Sequence, residues 1–228
     1  MPESGVAGRL VLIAGATSAS GLAATRTLVS AGARVVAVGR DAGRLRPLAD
    51  AGARAEACDL TDEAAVVALA ERVHASDGAV DGVLHLVGGW RGGGGLAGQT
   101  DADYRFLEGS FTALRHVSRA FDADLRASSA GRLAVVSSTA VARPLAGGAN
   151  YAAVKAATEA WTRAVAQGFA KDARDSGESP AAASVVFRVK ALEGLEDTLA
   201  QRFADLWDAD PAEVNDTVID LSSVPNSG

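Results

Sequence analysis

Apolar and polar positions along this chain fall into two alternating kinds of run. Short, wholly apolar runs end in turn residues, and longer Ala-rich runs follow them. Leu10-Val11-Leu12-Ile13-Ala14 is apolar throughout, as expected of a strand buried on both faces of a sheet. A Gly/Ser turn comes next, and residues 21–31 predict a helix that Gly32 ends. Residues 34–38 predict the second strand, and Asp41 caps a helix to about Ala51. Residues 53–58 predict the third strand, with Thr61 or Asp62 capping a helix to about Ala75. Residues 83–87 predict the fourth strand, followed by a Gly-rich loop over 88–98. Thr100 or Asp101 then opens a long helix to about Ser128. Residues 133–137 predict the fifth strand, 151–171 the next helix, and 184–189 the sixth strand. Within that helix 152–167 is the clearest part, because Gly168 marks an early end or a weak last turn. Two helical segments, near 195–207 and 211–222, finish the pattern.

A β-α-β-α rhythm implies a parallel sheet with helices on both faces. Right-handed crossovers make that an α/β doubly wound fold in three α/β/α layers. No internal repeat or linker interrupts it, so residues 1–228 are expected to form a single domain, with 171–180 as a polar surface loop. Periodicity alone fits a flavodoxin-like or methyltransferase arrangement equally well.

Composition narrows the function classes. The 228 residues are 48% hydrophobic and 22% charged, enough for a sizeable core. A net charge of −6 argues against a nucleic-acid surface. The single cysteine, Cys58, cannot form an internal disulfide, fits a reducing compartment and reads as a buried thiol. No apolar run has membrane-spanning length, and the first five residues carry no positive segment. A cytoplasmic protein with no membrane partner is expected. No metal site is assigned.

Candidate chemistry sits at three places. At the first strand-to-helix turn, Ala14-Gly15-Ala16-Thr17-Ser18-Ala19-Ser20-Gly21-Leu22 places glycines where a backbone can approach a pyrophosphate at a helix N-terminus. Thr17 and Ser18 offer hydroxyls to phosphate. The second strand ends in Gly39-Arg40 rather than in an acidic residue. Gly39 leaves room and Arg40 offers a forked cation, with Arg44 nearby, so NADP(H) is favoured over NAD(H). The third place is Tyr151-Ala152-Ala153-Val154-Lys155, with Ser138 thirteen residues upstream. Residues four apart share one helix face, so the phenol and the ammonium can serve one site. A cation beside a phenol favours the phenolate, which would bring this tyrosine toward neutral-pH proton transfer.

In order and spacing, the glycine turn, Asp59, Gly88 at the fourth strand end, Ser138 and Tyr151-x-x-x-Lys155 resemble the short-chain dehydrogenase/reductase family over nearly the whole chain. The resemblance implies that Tyr151 protonates a carbonyl oxygen as NADPH delivers hydride, that Ser138 holds the oxygen, and that Lys155 binds the nicotinamide ribose. It also implies that Asp59 and Leu60 flank the adenine, and that Ser110 stands where the family has a catalytic asparagine. The departures are Ala14 and Ala19 in the glycine turn, His85-Leu86-Val87 before Gly88, and no Pro-Gly after the sixth strand. The family's seventh strand is expected to be missing or rudimentary. Gly88-Gly89-Trp90-Arg91-Gly92-Gly93 has a local resemblance to the loop of dihydropteridine reductase, in which Trp90 would wall a flat substrate. A small-molecule carbonyl or alcohol substrate follows, with a homodimer through the two long helices using Leu114, Val117, Phe121, Trp161 and Val165. The segment 190–210 is expected to leave the site open or to a partner chain. The alternative is a non-catalytic or cofactor-sensing scaffold of the same fold.

Overall fold

The computed structural model describes residues 5–221. Seven parallel strands form one sheet in the order β3-β2-β1-β4-β5-β6-β7, where β1 is Leu10–Ala14, β2 Arg34–Gly39, β3 Arg54–Ala57, β4 Gly82–His85, β5 Arg132–Ser138, β6 Ala183–Val189 and β7 Val218–Asp220. The order reverses between β1 and β4, and the crevice at such a switch point is where ligands of open α/β sheets bind.

The apolar run of β1 divides between two cores because successive side chains leave a strand on opposite faces. Val11 and Ile13 pack with α1 (Ala19–Ser30), α2 (Ala42–Asp50) and α7 (Glu196–Ala204). Leu10, Leu12 and Ala14 pack with α3 (Glu63–Ser76), α4 (Asp101–Ala120) and α6 (Ala149–Ser176). The three-layer expectation holds, and Cys58 is buried and free, with burial pushing its thiol up.

Several element readings change. The seventh strand is present: Val218, Ile219 and Asp220 pair in parallel with Val186, Phe187 and Arg188. The helix expected over 211–222 lasts only Pro211–Val214 (α8). Asn215 stops it by turning inward, its carboxamide accepting from Ser184 N at 3.0 Å and donating to Ala166 O at 3.0 Å. Ser222 lies outside the described residues. The long helix from Asp101 breaks at the buried Phe121, and α5 (Asp122–Ala127) continues separately. Helix α6 runs 28 residues through Gly168, so most of the polar stretch after Lys171 is helix rather than loop. Gly168 is a crossing point: a Cβ there would lie 2.6 Å from Arg126 Nη2, and Arg126 passes over it to reach Asp172. Its actual end is Gly177, in the left-handed conformation at φ 70°.

Of the residues expected to offer a dimer face, Leu114, Val117 and Phe121 are fully buried within the chain. Trp161 and Val165 are half-buried against its cores, and Trp161 Nε1 donates to Ser118 Oγ at 2.9 Å. Within the segment 190–210, α7 buries Leu199, Ala200, Phe203 and Ala204 on the α1 side of the sheet.

Candidate functional site

The glycine turn lies where β1 leaves the sheet. Gly15 has φ 82°, a conformation that favours glycine, and a Cβ there would meet Val87 N at 2.7 Å. Gly21 sits against the turn itself, since a Cβ would lie 2.1 Å from Ala16 O. The two glycines therefore let α1 start close to β1 and leave a cradle at its N-terminus. Ser18 caps that helix, with its Oγ accepting from Gly21 N at 3.1 Å, and is thus committed to the backbone. Ala19 is exposed at the first helical position.

A cleft of about 600 Å³ opens over this turn. Gly15, Thr17, Ser18, Gly39, Arg40, Asp59, Leu60, Gly88 and Ser110 line it, as do Arg44, Thr61, Leu86, Val87 and Phe106. Among the cofactor residues expected from sequence, Ala19, Gly21 and Leu22 do not line it. Gly21 is buried beneath it, and Leu22 packs against the α1-side core. Gly39 makes room for Thr17, whose methyl would lie 2.7 Å from a Cβ at that position. Arg44 Nη2 donates to Thr17 O at 3.0 Å and so braces the turn. Asp59 accepts from the Thr61 hydroxyl at 2.7 Å and the Thr61 amide at 3.0 Å. These bonds, with Arg40 nearby, hold its carboxyl below the usual range.

Tyr151, Lys155 and Ser138 stand beyond the Gly88 end of the cleft rather than in its lining. Lys155 Nζ donates to Val136 O at 2.7 Å and lies 3.8 Å from where a Gly88 Cβ would be. It stands 5.8 Å from the centre of the Tyr151 ring. Burial pulls its pKa down to about 8, with Glu159 acting in the opposite sense. Glu159 is itself buried, one turn further along α6, and is held by Arg188 Nη2 at 2.9 and 2.8 Å.

The expectation that Lys155 lowers the Tyr151 pKa is not met. Burial pushes the phenol up, and the hydrogen bond with Ser138 pulls the other way. The ammonium is bonded to a strand carbonyl, and its distance from the ring leaves desolvation as the larger effect. Ser138 Oγ also accepts from Ala140 N at 3.2 Å, which fixes the hydroxyl at the end of β5.

Ser110 does not present its hydroxyl to Lys155. Its Oγ donates to Leu107 O at 2.7 Å within α4, and its carbonyl receives His85 Nε2 at 3.1 Å. His85 is buried at the end of β4, and burial with Lys155 nearby lowers its pKa to about 3, so it is neutral. With Nε2–H donating to a carbonyl, Nδ1 is an acceptor, and it has no hydrogen-bond partner, nor has the buried Ser137 Oγ.

Sequence reasoning passed over the α4 face of the cleft, where Arg105, Phe106, Gly109 and Thr112 recur at helical spacing. That periodicity was visible, but nothing in it said which neighbour the face would meet. Gln99 belongs to no motif in the sequence. Among the described residues no cluster of three or more His, Cys, Asp or Glu is placed to hold a metal, and no helix is long and apolar enough to cross a membrane.

A family model described as short chain dehydrogenase matches residues 9–173. The chain is 30% identical over 174 residues to 2,3-dihydro-2,3-dihydroxybenzoate dehydrogenase of Bacillus subtilis (strain 168), covering 72% of this chain and 65% of that protein. It is 25% identical over 163 residues to 3-oxoacyl-(acyl-carrier-protein) reductase FabG of Salmonella typhimurium, covering 70% and 67%. A metagenomic short-chain oxidoreductase solved in complex with NADP superposes with a TM-score of 0.80 at 27% identity, covering 95% of this chain and 98% of that chain.

Proposed function

Because the chain belongs to the short-chain dehydrogenase family, we propose that it is an NADP(H)-dependent oxidoreductase that interconverts a carbonyl and an alcohol on a small molecule. The carrying observation is the position of Lys155 Nζ, which joins the phosphate-type cleft at Gly88 to the helix bearing Tyr151. The donor set of the cleft fits a nicotinamide dinucleotide. The α1 N-terminus and the Gly15 turn suit a diphosphate. Arg40 and Arg44 suit a 2′-phosphate, which supports NADP(H) over NAD(H). Asp59 and Leu60 would flank the adenine, and Lys155 would take a ribose hydroxyl. Residues 1–228 would then act as one NAD(P)-binding domain.

When bound, the cofactor supplies hydride to the carbonyl carbon. The chain's own residues manage the oxygen. Ser138 orients it by a hydrogen bond, and Tyr151 gives it the phenolic proton, leaving a phenolate. Burial favours the neutral phenol, which is the form a reductase needs at the start of the step. Lys155 then stands as the nearby cation. Ser110 sits at the cleft edge, with its hydroxyl tied into α4 and its carbonyl paired with His85.

The test compares wild type and Tyr151→Phe with NADPH and NADH against a panel of aldehydes, ketones and quinones. The expected result is NADPH-preferring turnover that the substitution abolishes while cofactor affinity stays within about threefold. Equal turnover by the variant removes Tyr151 from the reaction. Binding of NADPH with no turnover of any carbonyl favours the cofactor-sensing scaffold, a reading the retracted Ser110 hydroxyl supports.

A further inference from the structure

Helix α6 carries Tyr151 in its first turn, yet its own N-cap, Gly148, offers no side chain to the free amides. The cap comes from another part of the chain. Gln99 Oε1 accepts from Asn150 N at 3.1 Å, one residue before Tyr151. The same carboxamide points its Nε2 at three backbone carbonyls, Gly93 O at 3.1 Å, Gly95 O at 3.3 Å and Gly147 O at 3.0 Å. Asn150 answers across the gap, its Nδ2 donating to Thr100 O at 3.2 Å. A direct backbone bond, Gly93 N to Gly147 O at 2.7 Å, lies beside these contacts. The approach is close enough that a Cβ on Gly92 would lie 2.4 Å from Gly147 O and 3.1 Å from the Trp90 ring.

Gln99 therefore joins three things: the glycine loop that carries the exposed Trp90, the turn before α6, and the first turn of α6 itself. An amide suits this place because it has one strong acceptor and two donors on one planar group. A carboxylate would face three carbonyl oxygens, and an alanine would leave the α6 amide and the loop carbonyls without the shared partner.

We propose that Gln99 is a positioning residue for the reaction, a carboxamide clasp that fixes Tyr151 and the Trp90 loop relative to each other. The inference rests on the reading of Tyr151 as proton donor. Small displacements of a reacting group cost rate out of proportion to their cost in stability, so the effect belongs in kcat.

The experiment uses the full chain, with Gln99→Ala and Gln99→Glu beside wild type. Three readouts are taken: steady-state kinetics on the best carbonyl of the panel, NADPH titration, and amide exchange of peptides spanning 88–98 and 145–152. For Gln99→Ala we expect kcat to fall tenfold or more and NADPH affinity to stay within twofold. Exchange should speed in both peptides, with little change elsewhere. For Gln99→Glu we expect a similar loss at neutral pH that recovers in part on acidification, as the protonated carboxyl regains a donor. A glutamine that only held the fold would lower NADPH affinity and thermal stability together with kcat. Unchanged kcat in both variants overturns the proposal, and so does unchanged exchange in either peptide. If wild type reduces no carbonyl, the reading of Tyr151 fails by itself, and the exchange of the two peptides still decides whether the clasp exists.

Discussion

Lys155 and Tyr151 carry opposite consequences of the same burial. Desolvation disfavours whichever form is charged, so it lowers the lysine and raises the phenol. Carbonyl reduction needs the protonated phenol and the ammonium together. The phenol keeps its proton past its ordinary range, so the lysine is the first of the two to lose one as pH rises, at about 8. The expected outcome is that kcat/KM for reduction is highest below that value and falls as pH rises through it. Lys155→Met should abolish that inflection and reduce kcat/KM by about a hundredfold or more. A wild-type profile that is flat from pH 7 to 9 would contradict this account. The identity and spacing of the pair were legible in the sequence, because a four-residue step on a helix fixes a shared face. The sign of the Tyr151 shift was not, since it depends on how deeply the phenol is buried and on where the ammonium spends its hydrogen bond. For the same reason the direction of the Ser110 hydroxyl, turned back into α4 at the cleft, was not legible in the sequence.

At the level of elements, apolar runs and caps foretold most of the layout. The β1 run, the Gly32 stop after α1 and the Asp41 and Asp62 caps all appear as expected. What escaped was set by contacts between elements. Gly168 looked like a helix breaker and is instead the gap over which Arg126 crosses, and β7 forms only because β6 presents an edge for three residues to join. Gly21 shows the same dependence at the site. Its missing side chain is what allows α1 to start against Ala16, so Gly21→Ala should cost roughly 2–3 kcal/mol as the helix is forced outward. A urea-denaturation midpoint equal to wild type would show that the turn yields without cost. NADPH affinity should fall in the same variant, because the helix N-terminus moves with it.

Across the whole molecule, the two ends of the sheet do different work. The cleft occupies the carboxyl ends of the strands, while the opposite end is closed by residues 203–209. Trp207 covers Gly82 so closely that a Cβ there would meet the indole at 2.6 Å, and Phe203 packs edge-on against it with ring centroids 5.2 Å apart. Arg132, at the start of β5 and almost wholly buried, holds this end with no carboxylate among the described residues in salt-bridge range. It donates to Leu206 O at 2.8 Å, Gly131 O at 2.9 Å, Ala181 O at 3.1 Å and Ala209 O at 3.4 Å. Its burial lowers the guanidinium pKa to about 10. Arg132→Met would leave those carbonyls without a donor and should lower stability by about 3 kcal/mol, which is a fall in Tm of roughly 6–12 °C for a chain of this size. NADPH affinity should not change, because the cleft is at the other end of the sheet. A calorimetric Tm within 2 °C of wild type would refute the anchoring role. The sequence by itself determined the layered α/β architecture, the glycine turn and the Ser138, Tyr151 and Lys155 set, because periodicity and spacing are local and survive in one dimension. Tertiary structure alone decided the direction of the Tyr151 pKa shift, the seventh strand, the packing of α7 and the contacts of Gln99, because each depends on burial or on partners distant in the chain.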